Sequence, residues 1–334
     1  MAYYGYGRVT RGVGGLFTVR LLEVTAAGHP EPCVPPMPLD GATVTARGRG
    51  TLHRKGSLLV GDLVRVGYDD GSFTHEGETV VPAPDGAGIS IDEILPRRNS
   101  LIRPPMANLD RMFVTLAATT PEPVLETVDK LIAIAEFHSI EPVIVVTKSD
   151  LAPEVAERLA TLYRRAGFST FCVGRGMEAA LEALKQYIDT EASQGISAFA
   201  GASGVGKSTL MNALFPSLSL ETGEISHRIE RGKNTTRRVD LYPLSETSDC
   251  GYLADTPGFT MLDFERFDFF SKEDLPETFR EFRPLLGGCR YRKCTHVKEE
   301  GCAIVEAVRD GSIAHSRHKS FVDLYEILKK KTNY

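Results

Sequence analysis

Thr147-Lys148-Ser149-Asp150 precedes Gly201-Ala202-Ser203-Gly204-Val205-Gly206-Lys207-Ser208, and that order decides the fold. The second stretch fits the phosphate-loop pattern G-x-x-x-x-G-K-[ST] without a mismatch. Downstream lies Asp255-Thr256-Pro257-Gly258, a D-x-x-G of the kind used near magnesium and a γ-phosphate. A [NT]-K-x-D element reads guanine, and in the ordinary chain order it follows both of the others. Here it comes first, which means a circularly permuted G domain.

The chemistry assigns roles residue by residue. Glycines in 201–206 let backbone N–H groups turn inward around phosphate oxygens, helped by the N-terminus of the helix that runs on through Thr209. Lys207 reaches the β- and γ-phosphates, and the Ser208 hydroxyl ligates Mg²⁺. Asp150 accepts two hydrogen bonds from guanine N1–H and the 2-amino group; adenine offers no matching pair, and buried polar pairing of this type discriminates strongly. Lys148 lies along the base, and Thr147 stands where Asn is commoner. Asp255 holds Mg²⁺ through water, and the Gly258 N–H faces the γ-phosphate. Phe259 follows, where Ras-like enzymes carry a water-orienting Gln, so slow intrinsic hydrolysis is expected. Within 232–237, Thr235 or Thr236 completes the magnesium shell as switch I. Five cations, Arg228, Arg231, Lys233, Arg237 and Arg238, crowd this segment. They make either a solvated face or a contact for RNA phosphates.

Outward from these motifs the chain divides into three: 1–97, 98–264 and 265–334. The first is rich in Gly and Pro, with β-type runs at 16–22, 42–47, 63–68 and 89–94. It reads as a small barrel, either a plain β domain or an OB-type barrel that binds nucleic acid. Five prolines in 28–38 mark a loop. The middle segment alternates strands (111–118, 143–147, 168–173, 196–200, 252–254) with helices (123–138, 154–166, 177–190, from 207). That rhythm predicts a parallel sheet with ligands at the C-terminal strand ends. The tail is mostly helical, with a helix over 321–330.

Six cysteines are unevenly placed, three of them in Cys289-x4-Cys294-x-His296-x5-Cys302. Three thiolates and an imidazole form a closed tetrahedral set suited to one structural Zn²⁺, which folds rather than catalyses. Cys33, Cys172 and Cys250 read as small core residues. A chain of 334 residues with net charge −5 does not coat nucleic acid non-specifically. No run of 18 apolar residues and no signal peptide are present, so a cytoplasmic protein without membrane contact is expected, and a monomer is expected as well.

These features together resemble the RsgA family (also called YjeQ or EngC) of small-subunit-dependent GTPases. The likeness also carries through Arg97-Arg98-Asn99-Ser100-Leu101-Ile102-Arg103-Pro104 and Ala107-Asn108-Leu109-Asp110, which look like that family's barrel-to-G-domain junction. The resemblance implies an OB-fold N-terminus and binding of GTP and GDP. It further implies hydrolysis stimulated by the small ribosomal subunit and its rRNA, and a role in late subunit maturation. Two positions depart from the pattern. Asn234 stands where the family usually places a water-positioning His, and Gly174-Arg175 where its fifth guanine motif usually has Ser-Ala. Asn234 and Phe259 together favour a competing reading, an RNA-binding nucleotide switch with negligible hydrolysis.

Overall fold

Strand β1 (Ala2–Val13) turns at Gly14 and Gly15 into β2 (Leu16–Leu22), which is followed by β3 (Thr43–Gly48) and β4 (Leu63–Asp69). After a hairpin of β5 (Phe73–Glu76) and β6 (Thr79–Pro82) comes β7 (Ser90–Ile94). The barrel strands run β1-β2-β3-β7-β4 and close from β4 onto β1; every pairing is antiparallel except β3 with β7. This is an OB-like barrel of five strands. Its interior is lined by Val9, Val19, Val44, Val64, Val66 and Ile91. Propensity reading misses β1 because Gly5, Gly7 and Gly12 interrupt it. Gly7 is glycine for a packing reason: a Cβ there would lie 2.4 Å from Val19 Cγ1 and 2.9 Å from the Arg20 carbonyl. The computed structural model describes residues 2–22, 42–50, 52, 57–69, 72–76, 79–82, 88–191, 193–216, 239–245, 251–255 and 269–331. The stretch 28–38, Cys33 and Cys250 lie outside them.

The junction motifs knit the barrel's exit. Arg97 forks onto the fully buried Asp62 at 2.6 and 2.8 Å and donates to the Ser57 carbonyl at 2.7 Å. Asn99 exchanges two hydrogen bonds with the Leu109 backbone, at 2.8 and 2.9 Å. Asn108, at φ 58°, donates to the Gly61 carbonyl at 3.0 Å. A two-residue pairing, β8 (Ser100–Leu101) with β9 (Met106–Ala107), lies between them.

The rest alternates as expected. β10 (Leu109–Ala117), α1 (Leu125–Phe137), β11 (Glu141–Thr147), α2 (Pro153–Arg165), β12 (Thr170–Cys172) and α3 (Glu178–Glu191) come first. β13 (Gly195–Ala200), α4 (Lys207–Leu214), β14 (Asp240–Pro243) and β15 (Gly251–Asp255) follow. β10, β11 and β12 are parallel, as are β13 and β15. Near-continuous apolar runs such as Val143–Val146 in β11 fit strands covered on both faces. The expected all-parallel sheet needs one correction. β14 is antiparallel to β15 and reaches β1, where Arg11 pairs with Asp240 at 2.7 Å. Its short sequence, with Asp240 and Pro243, carries no strand signal.

The described residues form two compact units: Met1–Leu109 with Thr190–Ala198 and Gly232–Pro257, and Asp110–Asp189 with Phe199–Arg231 and Gly258–Tyr334. In the second, 3₁₀ turns at Leu275–Thr278 and Arg280–Leu285 lead to α5 (Ala303–Arg309) and α6 (His315–Lys331). The last helix therefore begins ahead of the expected 321. Arg317, in its first turns, is 1 % exposed. It pairs with Asp129 of α1 at 2.6 Å and with Glu281 at 2.7 and 3.1 Å, and lies over the Phe279 ring. Among the described residues no helix is long and apolar enough to cross a membrane.

Candidate active site and metal cluster

β13 delivers the phosphate loop and α4 receives it. Gly201 has φ +143°, and a Cβ there would lie 2.1 Å from the Thr115 carbonyl of β10, so the chain passes too close for any side chain. Gly204 and Gly206, at φ 79° and 100°, complete the turn into α4. Lys207 Nζ donates to the Gly201 and Ala202 carbonyls, both at 2.8 Å. Burial lowers its pKa to about 8. Ser208 and Thr209 follow in the first turn of α4.

The base-reading motif leaves the end of β11 and is fastened to this loop. The buried Thr147 hydroxyl donates to the Val205 carbonyl and lies 3.2 Å from that of Leu116. Lys148, at φ 54°, reaches across to the carbonyls of Thr120 and, at 3.0 Å, Gly204. Ser149 is buried, its hydroxyl donating to the Val146 carbonyl at 2.9 Å, so its role is to hold the turn. That leaves Asp150 beside Gly174, facing a cavity of about 570 Å³. Leu151, Arg175, Met177 and Leu210 share its lining. A volume in the ligand-sized range, with an apolar wall from Leu151, Val173, Met177, Leu181 and Leu210 and charged groups at its edge, suits a heteroaromatic base. Arg175 and Met177 were not assigned from sequence; the signal was the departure at Gly174-Arg175.

In the barrel-containing unit, β15 pairs Ala254 with Ala198 of β13 and ends in Asp255. Burial, and secondarily the charge of Asp240, raises the Asp255 carboxyl pKa. An acid held this way is relieved by a cation, which fits a magnesium role. Asn234, Thr235, Thr236, Gly258, Phe259 and the cations of 228–238 lie outside the described residues. Cys172 is half-buried at the end of β12, its thiol directed to the Ala156 carbonyl.

The four tail ligands converge: their donor atoms all lie within 4.8 Å of one another. His296 Nδ1 is 3.5 Å from Cys289 Sγ and 3.6 Å from Cys302 Sγ, and the two sulfurs are 3.8 Å apart. A tetrahedral ion with arms of ~2.3 Å to sulfur and ~2.0 Å to nitrogen requires edges of about 3.5–3.8 Å. The three edges among Cys289, His296 and Cys302 have those dimensions, and Cys294 lies within 4.8 Å of them. His296 sits at φ 62°, and its carbonyl accepts from His318 of α6 at 2.8 Å. Glu299 supports the turn, accepting from the Thr295 hydroxyl and from the N–H groups of Thr295, Val297 and Lys298. Burial acts to raise its pKa, but the Thr295 bonds and these amides outweigh it, holding it at about 2. Glu299 gave no signal in sequence, standing in a run of surface charges.

A phosphate loop braced to a base reader that precedes it in the chain defines a circularly permuted P-loop GTPase. The sequence profile of the RsgA GTPase family matches residues 94–265. The "Small ribosomal subunit biogenesis GTPase RsgA" of Caldanaerobacter subterraneus subsp. tengcongensis is 35% identical over 97% of this chain and 96% of its own. That of Moorella thermoacetica is 37% identical over 88% and 94%. Among solved structures, YjeQ from Thermotoga maritima matches with TM-score 0.72 at 28% identity, over 97% of this chain and 98% of that one. YloQ, described as a circularly permuted GTPase, matches at 0.68 and 27%, over 98% and 96%. The chain belongs to the RsgA GTPase family and is a hydrolase acting on GTP.

Proposed function

We propose that this GTPase acts on the small ribosomal subunit in the cytoplasm, binding its rRNA and assisting late maturation, with hydrolysis stimulated by that subunit. The observation that carries this is likeness over nearly the whole chain to relatives named for small-subunit biogenesis, barrel and cysteine tail included. In this reading residues 1–97 are an RNA-binding barrel, 98–264 the permuted G domain and 265–334 a zinc-folded tail, and the protein is a monomer.

Within the G domain, Asp150 selects guanine, Lys148 flanks the base, and residues 201–209 hold the phosphates. Lys207 supplies positive charge at the β- and γ-phosphates. Ser208, Asp255 and Thr235 or Thr236 hold Mg²⁺, which neutralises charge on the transferring phosphoryl group. The Gly258 N–H faces that group. Asn234 provides an amide near the attacking water but no titratable base, and Phe259 provides nothing polar. Slow turnover by the free protein follows, and rRNA contact through the basic segment 228–238 orders the switch. Cys289, Cys294, His296 and Cys302 hold one Zn²⁺, whose chemistry is structural. Single-turnover GTP hydrolysis with and without purified small subunits tests the proposal. A large rate increase supports it; no increase at low salt leaves a nucleotide switch without ribosomal activation.

A further inference from the structure

Four charged side chains line the cavity at Asp150: Lys148, Asp150, Arg175 and Glu178. Lys148 is committed to the Thr120 and Gly204 carbonyls. Arg175 is exposed and, among the described residues, has neither a hydrogen bond nor an ion pair; Glu178 is not paired with it. Its place is fixed by its neighbour. Gly174 packs so closely on Asp150 that a Cβ would lie 2.2 Å from Oδ1 and 2.8 Å from the backbone nitrogen. Arg175 therefore begins one residue from the group that reads the base.

Guanine bound to a carboxylate through N1–H and the 2-amino group turns its adjoining edge, O6 and N7, to the next stretch of wall. That edge carries two acceptors and no donor. A guanidinium matches it bidentately with a rigid, planar pair of donors. Adenine would present its 6-amino donor there and be repelled. We propose that Arg175 is a specificity residue that donates to guanine O6 and N7, so that two residues grip the base on adjacent edges. The inference rests on the assignment of Asp150 as base reader.

The test uses the full chain and GDP, 7-deaza-GDP (which lacks the N7 acceptor), IDP (which lacks the 2-amino group) and ADP, by calorimetry. Arg175 touches nothing it would leave unpaired, so its variants should keep the parent's melting temperature. The parent should bind GDP about tenfold tighter than 7-deaza-GDP, the scale of one hydrogen bond to a charged donor. Arg175→Ala should remove that preference while leaving the GDP-to-IDP ratio, read by Asp150, unchanged. Arg175→Lys should keep part of both the affinity and the N7 preference, since an ammonium donates to the same edge with a less rigid fit. Two results overturn the inference: a parent indifferent to 7-deaza-GDP, or an Arg175→Ala loss equal for GDP and 7-deaza-GDP. A parent that fails to prefer GDP over both IDP and ADP would instead overturn the Asp150 assignment.

Discussion

Lys207 is half-buried with its ammonium on the Gly201 and Ala202 carbonyls, and burial lowers its pKa to about 8. Bound phosphates favour the charged form, so the complex retains the proton to higher pH than the free protein. Binding above about pH 8 must then take up a proton, and GDP affinity should fall roughly tenfold per pH unit there and be flat below. Titration calorimetry at pH 7 to 9.5 in buffers of different ionisation heat checks both slope and proton count. Asp150→Asn replaces one of two acceptors by a donor facing the guanine 2-amino group or N1–H. Two charge-assisted bonds at about 1.5–3 kcal/mol each imply a loss on the order of a hundredfold or more for GDP. Xanthine nucleotides should gain. Equal GDP affinity in variant and parent would remove Asp150 from base reading. Asp150 and Lys207 were legible because their motifs encode their chemistry directly. A structural hydrogen bond from the Thr147 hydroxyl was expected, but its partner Val205, remote in sequence, was not, because a hydroxyl announces no partner.

Helix α6 buries Phe321, Leu324 and Leu328 and, beside them, one guanidinium. Arg317→Met would leave Asp129 and Glu281 buried without their cation, a loss of about 3–5 kcal/mol. Burial already raises the Asp129 carboxyl pKa despite Arg317, so the orphaned acid should hold a proton. A lowered urea midpoint with unchanged zinc content would place the damage at α6; an unchanged midpoint would mean that the pairs contribute little. The ligand cluster behaves differently. One zinc per chain is expected, and Cys294→Ala should lose it and loosen the turn that Glu299 braces, since metal binding and folding of such clusters are coupled. Metal-free protein from chelator-free purification would count against the site. The spacing of the four ligands was readable in the sequence. Arg317 was not, because a lone arginine in a basic helix reads as solvated until three acidic and aromatic partners from elsewhere surround it. For the same reason β14 and β1 went unread: their pairing partners, not their own residues, make them strands.

At the scale of the molecule, a net charge of −5 forbids indiscriminate attraction to RNA, so the proposed association with a ribosomal subunit requires local cations. Stimulation of hydrolysis should then decline linearly in logarithmic coordinates as salt is raised, because phosphate contacts release counterions. Neutralising Arg237 and Arg238 together should flatten that slope; an unchanged slope would move the contact to the barrel or the tail. The permuted order of the motifs was plain from the sequence, but how they are held together was not. Thr147 and Lys148 grip Val205 and Gly204, residues translated well after them. During synthesis the selector therefore emerges before its anchor. A nascent chain paused at Ala200 already owns Asp150 but has no phosphate loop for it to lean on. GTP can assist folding only once α4 has left the exit tunnel, so this protein completes most of its own making blind to its substrate.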